Sequence, residues 1–337
     1  MFKPGYCYDD VLLVPRHSNV NSRDNVDLSV QLPRGIKLDL PFVSANMKTV
    51  TDVEMARAIS SLGGLALLHR FDDYDNLLKK FVESNIPESQ GRVGASVGIK
   101  PKDFNFAKKL YKIGCRILCV DVAHADHDNV EEFVLAIRRF CPEVLLIVGN
   151  IATPGAAKML WEAGADVIKI GIGCSGVCTT RIETGNGYPQ LSALLNVCNA
   201  GYVPREDNEF PIFIADGGIR AAGDCVKGLA FTDLVMIGNL FAGTDEAPGE
   251  VVSLNGLKYK RYAGSSTYKQ RNVEGVSGLV PYRGPVKEVV RKLSEGIRSG
   301  CSYQGVHNLE DLKKSPEFVV ISNSGLVESH PHDIRQI

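Results

Sequence analysis

Eight short aliphatic runs recur along this chain, and each ends in small or polar residues. They read PFVSANM (41–47), GLALLHR (64–70), GASVG (94–98), RILCVDVAHA (116–125), VLLIVGN (144–150), DVIKIGIG (166–173), PIFIADGG (211–218) and LVMIGN (234–239). Between them lie segments such as DVEMARAISSLG, AAKMLWEAGA and AAGDCVKGLA, in which apolar residues return every three or four positions, the period of an amphipathic helix. Strands alternating with helices through eight rounds predict a single-domain α/β chain, a (β/α)8 barrel. An open doubly wound sheet is the competing architecture, but no GxGxxG follows the first run.

Composition narrows the class of function. The 337 residues carry 38 Lys and Arg against 39 Asp and Glu, a formal charge of -1, which points to neither nucleic acid nor a membrane surface. No apolar stretch approaches the roughly 20 residues that span a bilayer. The start, MFKPGYCYDD, lacks the basic and apolar segments of a secretory signal, so a cytoplasmic protein is expected. Nine cysteines without CxxC pairs argue against a disulfide framework and against structural zinc.

One cysteine stands apart. Cys178 lies in GIGCSGVCTTRIETGNGYPQ, a loop of glycine and small hydroxyl residues directly after the sixth run. Glycines allow close backbone approach and let several N–H groups point at one spot, which favours an anion and a thiolate. A buried structural cysteine is the alternative, since free Cys is among the most buried residue types.

In a barrel the active site gathers on the loops after the strands, so the run ends Asn46, His69, Asp121, Asn150, Gly171, Asp216 and Gly238 become informative. Gly217 and Gly218 follow the seventh run and Gly238 the eighth, where barrels hold phosphates on backbone N–H groups. A simple tight turn would use the same Gly-Gly pair. Two long excursions break the pattern, one from about Thr179 to Pro211 and one from Thr244 to about Pro285. The second is polar enough to act as a lid, and Glu274 within it is either an acid-base group or an ordinary surface carboxylate.

YDDVLLVP, VNSRDNVDL, SANMKTVT, VGNIATP, GIG followed by VCTTR, YPQLSAL, IADGGIR and VPYRG together resemble the family of inosine-monophosphate dehydrogenases and guanosine-monophosphate reductases, over nearly the whole chain. Several features resemble the reductase branch. Only about two dozen residues separate His69 from Gly94, where the dehydrogenase usually carries a pair of CBS modules, so none is expected. Asn46 stands where the dehydrogenase usually has proline, and the flap GSSTYKQRNV is short, without the dehydrogenase's water-activating Arg-Tyr pair. Arg261-Tyr262 precedes the flap and is read as a false match. The reductase's Arg-x-x-Glu-Gly is present as Arg271, Glu274 and Gly275.

The resemblance implies reduction of GMP by NADPH to IMP and ammonia. Cys178 would attack purine C2 to give a covalent thioimidate, with Thr180 and Glu274 relaying a proton to the departing amine. Gly176, Gly217, Gly218, Gly238 and Asn239 would hold the phosphate and Asp216 the ribose. Met47, Gly264, Ser265, Arg271 and Gly275 would line the base. Asp121, Val122 and Ala123, with Arg70 nearby, would meet the nicotinamide. Ser22 and Arg23 match positions that reach a neighbouring subunit's cofactor, which implies a homotetramer. Carbonyls of Gly173, Ser175, Cys178 and Arg181 match a monovalent-cation site for K+. Met47 as plain core and Asp121 as a helix cap are the bland alternatives.

This chain also departs from the family. Cys174, Ser175 and Gly176 replace the usual Pro-Gly-Ser, which moves the serine hydroxyl by one position, and Asn239 replaces a serine or glycine. The C-terminal GLVESHPHDI looks more like the dehydrogenase, which would convert IMP to XMP with NAD. Two readings from other classes are a Schiff-base aldolase on Lys169 and a nucleotide-binding protein without turnover.

Overall fold

The computed structural model describes residues 3–205, 209–264 and 275–332. Its core is a closed barrel of eight parallel strands, each one of the eight aliphatic runs. They are β1 (Phe42–Ser44), β2 (Leu65–Leu68), β3 (Val93–Val97), β4 (Ile117–Asp121), β5 (Leu145–Ile151), β6 (Val167–Ile170), β7 (Ile212–Asp216) and β8 (Leu234–Ile237). Each pairs with its sequence neighbours, and β8 closes on β1 through Val235 opposite Phe42. Inward side chains fill the barrel and outward ones meet helices, so nearly every strand residue is buried.

Around the barrel stand α1 (Val53–Ser61), α2 (Tyr74–Ser84), α3 (Pro101–Lys112), α4 (Asp128–Phe140), α5 (Pro154–Glu162), α6 (Gln190–Cys198), α7 (Ala222–Leu229) and α8 (Val286–Gln304). Local chemistry starts several of them. Asp52, Asp73 and Thr153 accept backbone N–H bonds as N-caps of α1, α2 and α5, and Pro154 occupies the first turn of α5, where its missing N–H costs nothing. Asp121 is no cap, because α4 begins after His127.

The two excursions differ from the expectation. The first is not one long loop: it contains a short helix, Thr180–Thr184, and then α6, the sixth barrel helix. The second carries an antiparallel sheet, β9 (Val252–Leu254), β10 (Leu257–Ala263) and β11 (Ser277–Pro281). Lys260 pins that sheet to the barrel, its buried ammonium donating to the carbonyls of Thr244, Asp245 and Ala247. The N-terminal arm wraps back on the C-terminal segment, with Val11–Leu13 paired to Phe318–Val320.

Among the described residues, no helix is long and apolar enough to cross a membrane.

Candidate active site

A cavity of about 640 Å³ opens at the C-terminal ends of the strands. Candidate residues that lie far apart in the chain meet there. Cys178, Thr180, Met47, Gly176, Asp216, Gly217, Gly218, Gly238, Asn239 and Gly264 line it, as do Arg70, Asp121, Val122, Ala123, Gly173, Ser175 and Arg181. A larger cavity, about 1010 Å³, lies by the N-terminal end of β7 among Phe210, Phe213, Phe231 and Phe318, and none of the predicted site residues lines it.

The cysteine loop is shaped by close approach. Gly217 and Gly218 hold φ of 110° and 82°, and a Cβ on Gly217 would stand 2.5 Å from the Cys174 sulfur. Only glycine fits such a position. The two loop cysteines then part ways. Burial pushes the Cys174 thiol far up, and its Sγ donates to the Asp216 carbonyl at 3.1 Å, so it is a neutral packing group. Cys178 is half-buried on the cavity wall, its Sγ 3.0 Å from Thr180 Oγ1.

The flap begins and ends against this loop. Gly275 forms an isolated antiparallel bridge with Cys178, Val276 N–H donates to the Val177 carbonyl at 3.0 Å, and Gly264 N–H donates to the Val276 carbonyl at 3.1 Å. Ser265, Arg271 and Glu274 lie outside the described residues. Ser22 and Arg23 sit on the surface at a short 3-10 turn, and the chain does not bring them to its own cavity.

Tyr262 is a site residue that sequence reasoning dismissed. Strand alternation splits the suspected Arg-Tyr pair: Arg261 is exposed and donates to Ser277 Oγ, whereas Tyr262 is buried, its hydroxyl 3.4 Å from Ser175 Oγ and 3.7 Å from Met47 Sδ. Burial raises its phenol to about 12, so it stays a neutral hydrogen-bonding group. The only available signal was β-period two in LKYKRYA.

Beneath the cavity lies a charged network. Lys169, 1 % exposed, places Nζ 3.4 Å from Asp121 Oδ1 and 3.3 Å from Asp216 Oδ2. Arg70 Nε meets Asp121 Oδ2 at 3.2 Å, and Asn150 Nδ2 donates to Asp216 Oδ2 and to the Gly171 carbonyl, both at 2.8 Å. Burial alone would raise the Asp121 carboxyl, but Lys169 and Arg70 outweigh it and hold it below the usual range. Burial likewise favours a neutral Lys169, yet Asp216, Cys119 and Asp121 drive its pKa above normal. A Schiff-base lysine needs a free amine, so this ammonium does not suit an aldolase.

The four residues proposed to offer carbonyls to a cation, Gly173, Ser175, Cys178 and Arg181, all line this cavity. The carbonyls of Ser175 and Arg181 already accept the N–H groups of Cys178 at 3.1 Å and Gly185 at 3.2 Å, leaving each a second lone pair. Among the described residues no group of three or more His, Cys, Asp or Glu could hold a metal ion.

A thiol and a hydroxyl beside a glycine-lined loop at the C-terminal mouth of a barrel stand where barrel enzymes place their active sites. The whole chain narrows this: residues 5–332 match the model of the IMP dehydrogenase / GMP reductase domain, and the chain belongs to that family of nicotinamide-dependent oxidoreductases. An inosine-5'-monophosphate dehydrogenase of Borreliella burgdorferi is 36% identical, with 99% of this chain and 98% of that protein covered. A GMP reductase of Streptococcus equi subsp. equi is 35% identical, covering 95% and 96%. The crystal structure of a cysteine-to-alanine variant of GMP reductase from Trypanosoma brucei, in complex with guanosine 5'-monophosphate, superposes with a TM-score of 0.88 at 29% identity over 99% of both chains. The first two of these relatives carry different names at nearly equal identity.

Proposed function

We propose that this chain is a cytoplasmic GMP reductase that converts GMP to IMP and ammonia with NADPH. The observation that carries the reading is the contact of Cys178 Sγ with Thr180 Oγ1 in a loop bridged to Gly275, the residue after Glu274. Cys178 supplies a soft nucleophile that is also a good leaving group. Its thiolate adds to purine C2, and the 2-amino group leaves as ammonia after accepting a proton relayed through Thr180 and Glu274. A thioimidate on Cys178 remains. NADPH, held beside Asp121, Val122 and Ala123, would supply the hydride for C2, and Cys178 would leave as thiolate to release IMP.

The other residues position the reactants. Backbone N–H groups of Gly176, Gly217, Gly218, Gly238 and Asn239 would hold the phosphate, with Asp216 on the ribose. Met47, Gly264, Ser265, Arg271 and Gly275 would frame the base. For the cofactor, Asp121 kept ionised by Lys169 and Arg70, together with Val122 and the small Ala123 on the same cavity wall, fits a nicotinamide ring with polar carboxamide. Surface Ser22 and Arg23 would complete a neighbour's cofactor site in a homotetramer. A K+ ion on the carbonyls of Gly173, Ser175, Cys178 and Arg181 would steady the loop.

The short flap segment GSSTYKQRNV, which holds no Arg-Tyr pair, supports the reductase over the dehydrogenase. Purified protein with GMP should oxidise NADPH, followed by loss of its near-ultraviolet absorbance. Production of NADH from IMP and NAD, without NADPH oxidation by GMP, would replace this reading with IMP dehydrogenase. Glu274→Gln should slow ammonia release by about 10²- to 10⁴-fold. Full GMP turnover by that variant would remove Glu274 from the relay.

A further inference from the structure

Lys169 stands at the junction of the two halves of the cavity. Its register neighbours are Gly149 on β5 and Ile214 on β7. A Cβ on Gly149 would fall 2.5 Å from that of Lys169, so the glycine in VLLIVGN makes the space in which the lysine rises. The groups facing the ammonium are Asp121 and the thiol of Cys119 from β4, and Asp216 from β7, with Arg70 beyond Asp121. Arg70 and Lys169 against Asp121 and Asp216 sum to zero charge. One ammonium thus serves two carboxylates at nearly equal distance, 3.4 and 3.3 Å, and is committed to neither.

Exposure shows how ligands would feel this. The Asp121 and Asp216 side chains are 16% and 22% exposed, the lysine side chain 2%. Lys169 reaches the cavity wall but offers almost no surface, so a ligand meets chiefly the carboxylates. Both Asp121 oxygens are engaged, Oδ1 with Lys169 and Oδ2 with Arg70, whereas the bonds to Lys169 and Asn150 fall on Oδ2 of Asp216 alone.

We propose that Lys169 is a positioning residue that couples the nucleotide and cofactor halves of the pocket, so that occupation of either half tightens binding in the other. It rests on the reading above of Asp216 as ribose contact and Asp121 as cofactor contact. Ribose hydroxyls donating to Asp216 relieve its demand on the ammonium. Lys169 then moves toward Asp121 and fixes the β4 end for the nicotinamide. By linkage the effect runs equally in reverse.

The test measures GMP dissociation constants calorimetrically with and without saturating NADP+, a pair with no hydride to transfer. The native protein should bind GMP about fivefold or more tightly with NADP+ present. In Lys169→Met both constants should weaken and their ratio fall within twofold of one. A lysine that merely filled space would leave the ratio at its native value. If Lys169→Met does not fold, Lys169→Gln keeps a hydrogen-bonding head between the carboxylates without the charge, and it should show the same lost ratio. A native ratio of one, or a native ratio retained in either variant, overturns the coupling. If the native protein binds no GMP at all, the coupling falls together with the nucleotide reading; GMP binding with an unchanged ratio sinks the coupling alone.

Discussion

The two mouths of the barrel treat buried carboxylate in opposite ways. At the N-terminal mouth, Asp166 at the entry to β6 is fully buried and receives Arg34 at 3.0 Å, Arg138 at 2.5 Å and Arg205 at 3.1 Å, plus the Leu146 N–H at 2.8 Å. Arg205 also donates to the carbonyls of Trp161 and Ala165, and Arg138 to that of Gly164, around the end of α5, where the helix dipole favours cations. Nothing of Asp166 is left for a ligand. At the C-terminal mouth, Asp121 and Asp216 share one lysine and stay partly open. A carboxylate enclosed by three guanidinium groups holds the fold, whereas those left partly open stand at the mouth where barrel enzymes gather their active sites.

The sharpest way to break that division of labour begins with the thiol. Cys178→Ala should cut turnover by on the order of 10⁴-fold or more while leaving the thermal midpoint nearly unchanged. Mass spectrometry of native protein quenched during turnover should find a purine adduct on Cys178, and its absence would end the covalent proposal. Next, Asp166→Ala strands three guanidinium groups and should cost about 3–5 kcal/mol in denaturant unfolding, with kcat of the folded fraction preserved. Asp216→Asn should do the reverse, and a large loss of stability there with intact turnover would erase the distinction between the mouths.

His69 gives a smaller effect with a defined pH window. It is 1 % exposed at the end of β2, and burial, then Lys80, lower its pKa from 6.5 to about 4, while Nδ1 accepts the Phe71 N–H. Below pH 6.5 the unfolded chain takes up the proton and the folded one does not. Stability is therefore full above about pH 6.5 and falls as pH drops toward 4, by about 3 kcal/mol from this residue. Melts from pH 7 to 4 should show a flatter decline in His69→Asn. The smallest change expected is for Tyr262→Phe. Its hydroxyl contacts are long, so a few-fold rise in the KM for nucleotide, roughly 1 kcal/mol, is the expected measurement.

Much of this was readable from local pattern. Alternation of aliphatic runs with helical spacing located all eight strands, and glycine density around Cys178 marked the loop that the barrel mouth then displays. Arg261-Tyr262 was harder. Two adjacent residues look like a functional pair, and only the pairing of β10 with β11 reveals that one points to water and the other into the cavity. The same limit applied to Thr179–Pro211, where α6 hid inside what looked like a loop because QLSALLNVC is apolar around much of its circumference.

By itself the amino-acid order determined the strand-helix rhythm, the backbone positions that demand glycine, and which thiol stands as the candidate nucleophile, since these depend on neighbours within a few residues. Tertiary closure alone decided the charge logic of the pocket. Arg70, Asp121, Lys169 and Asp216 sit on four different strand ends, and their ion pairs depend on distances of a few ångströms that exist only once the barrel has shut and excluded water from between them.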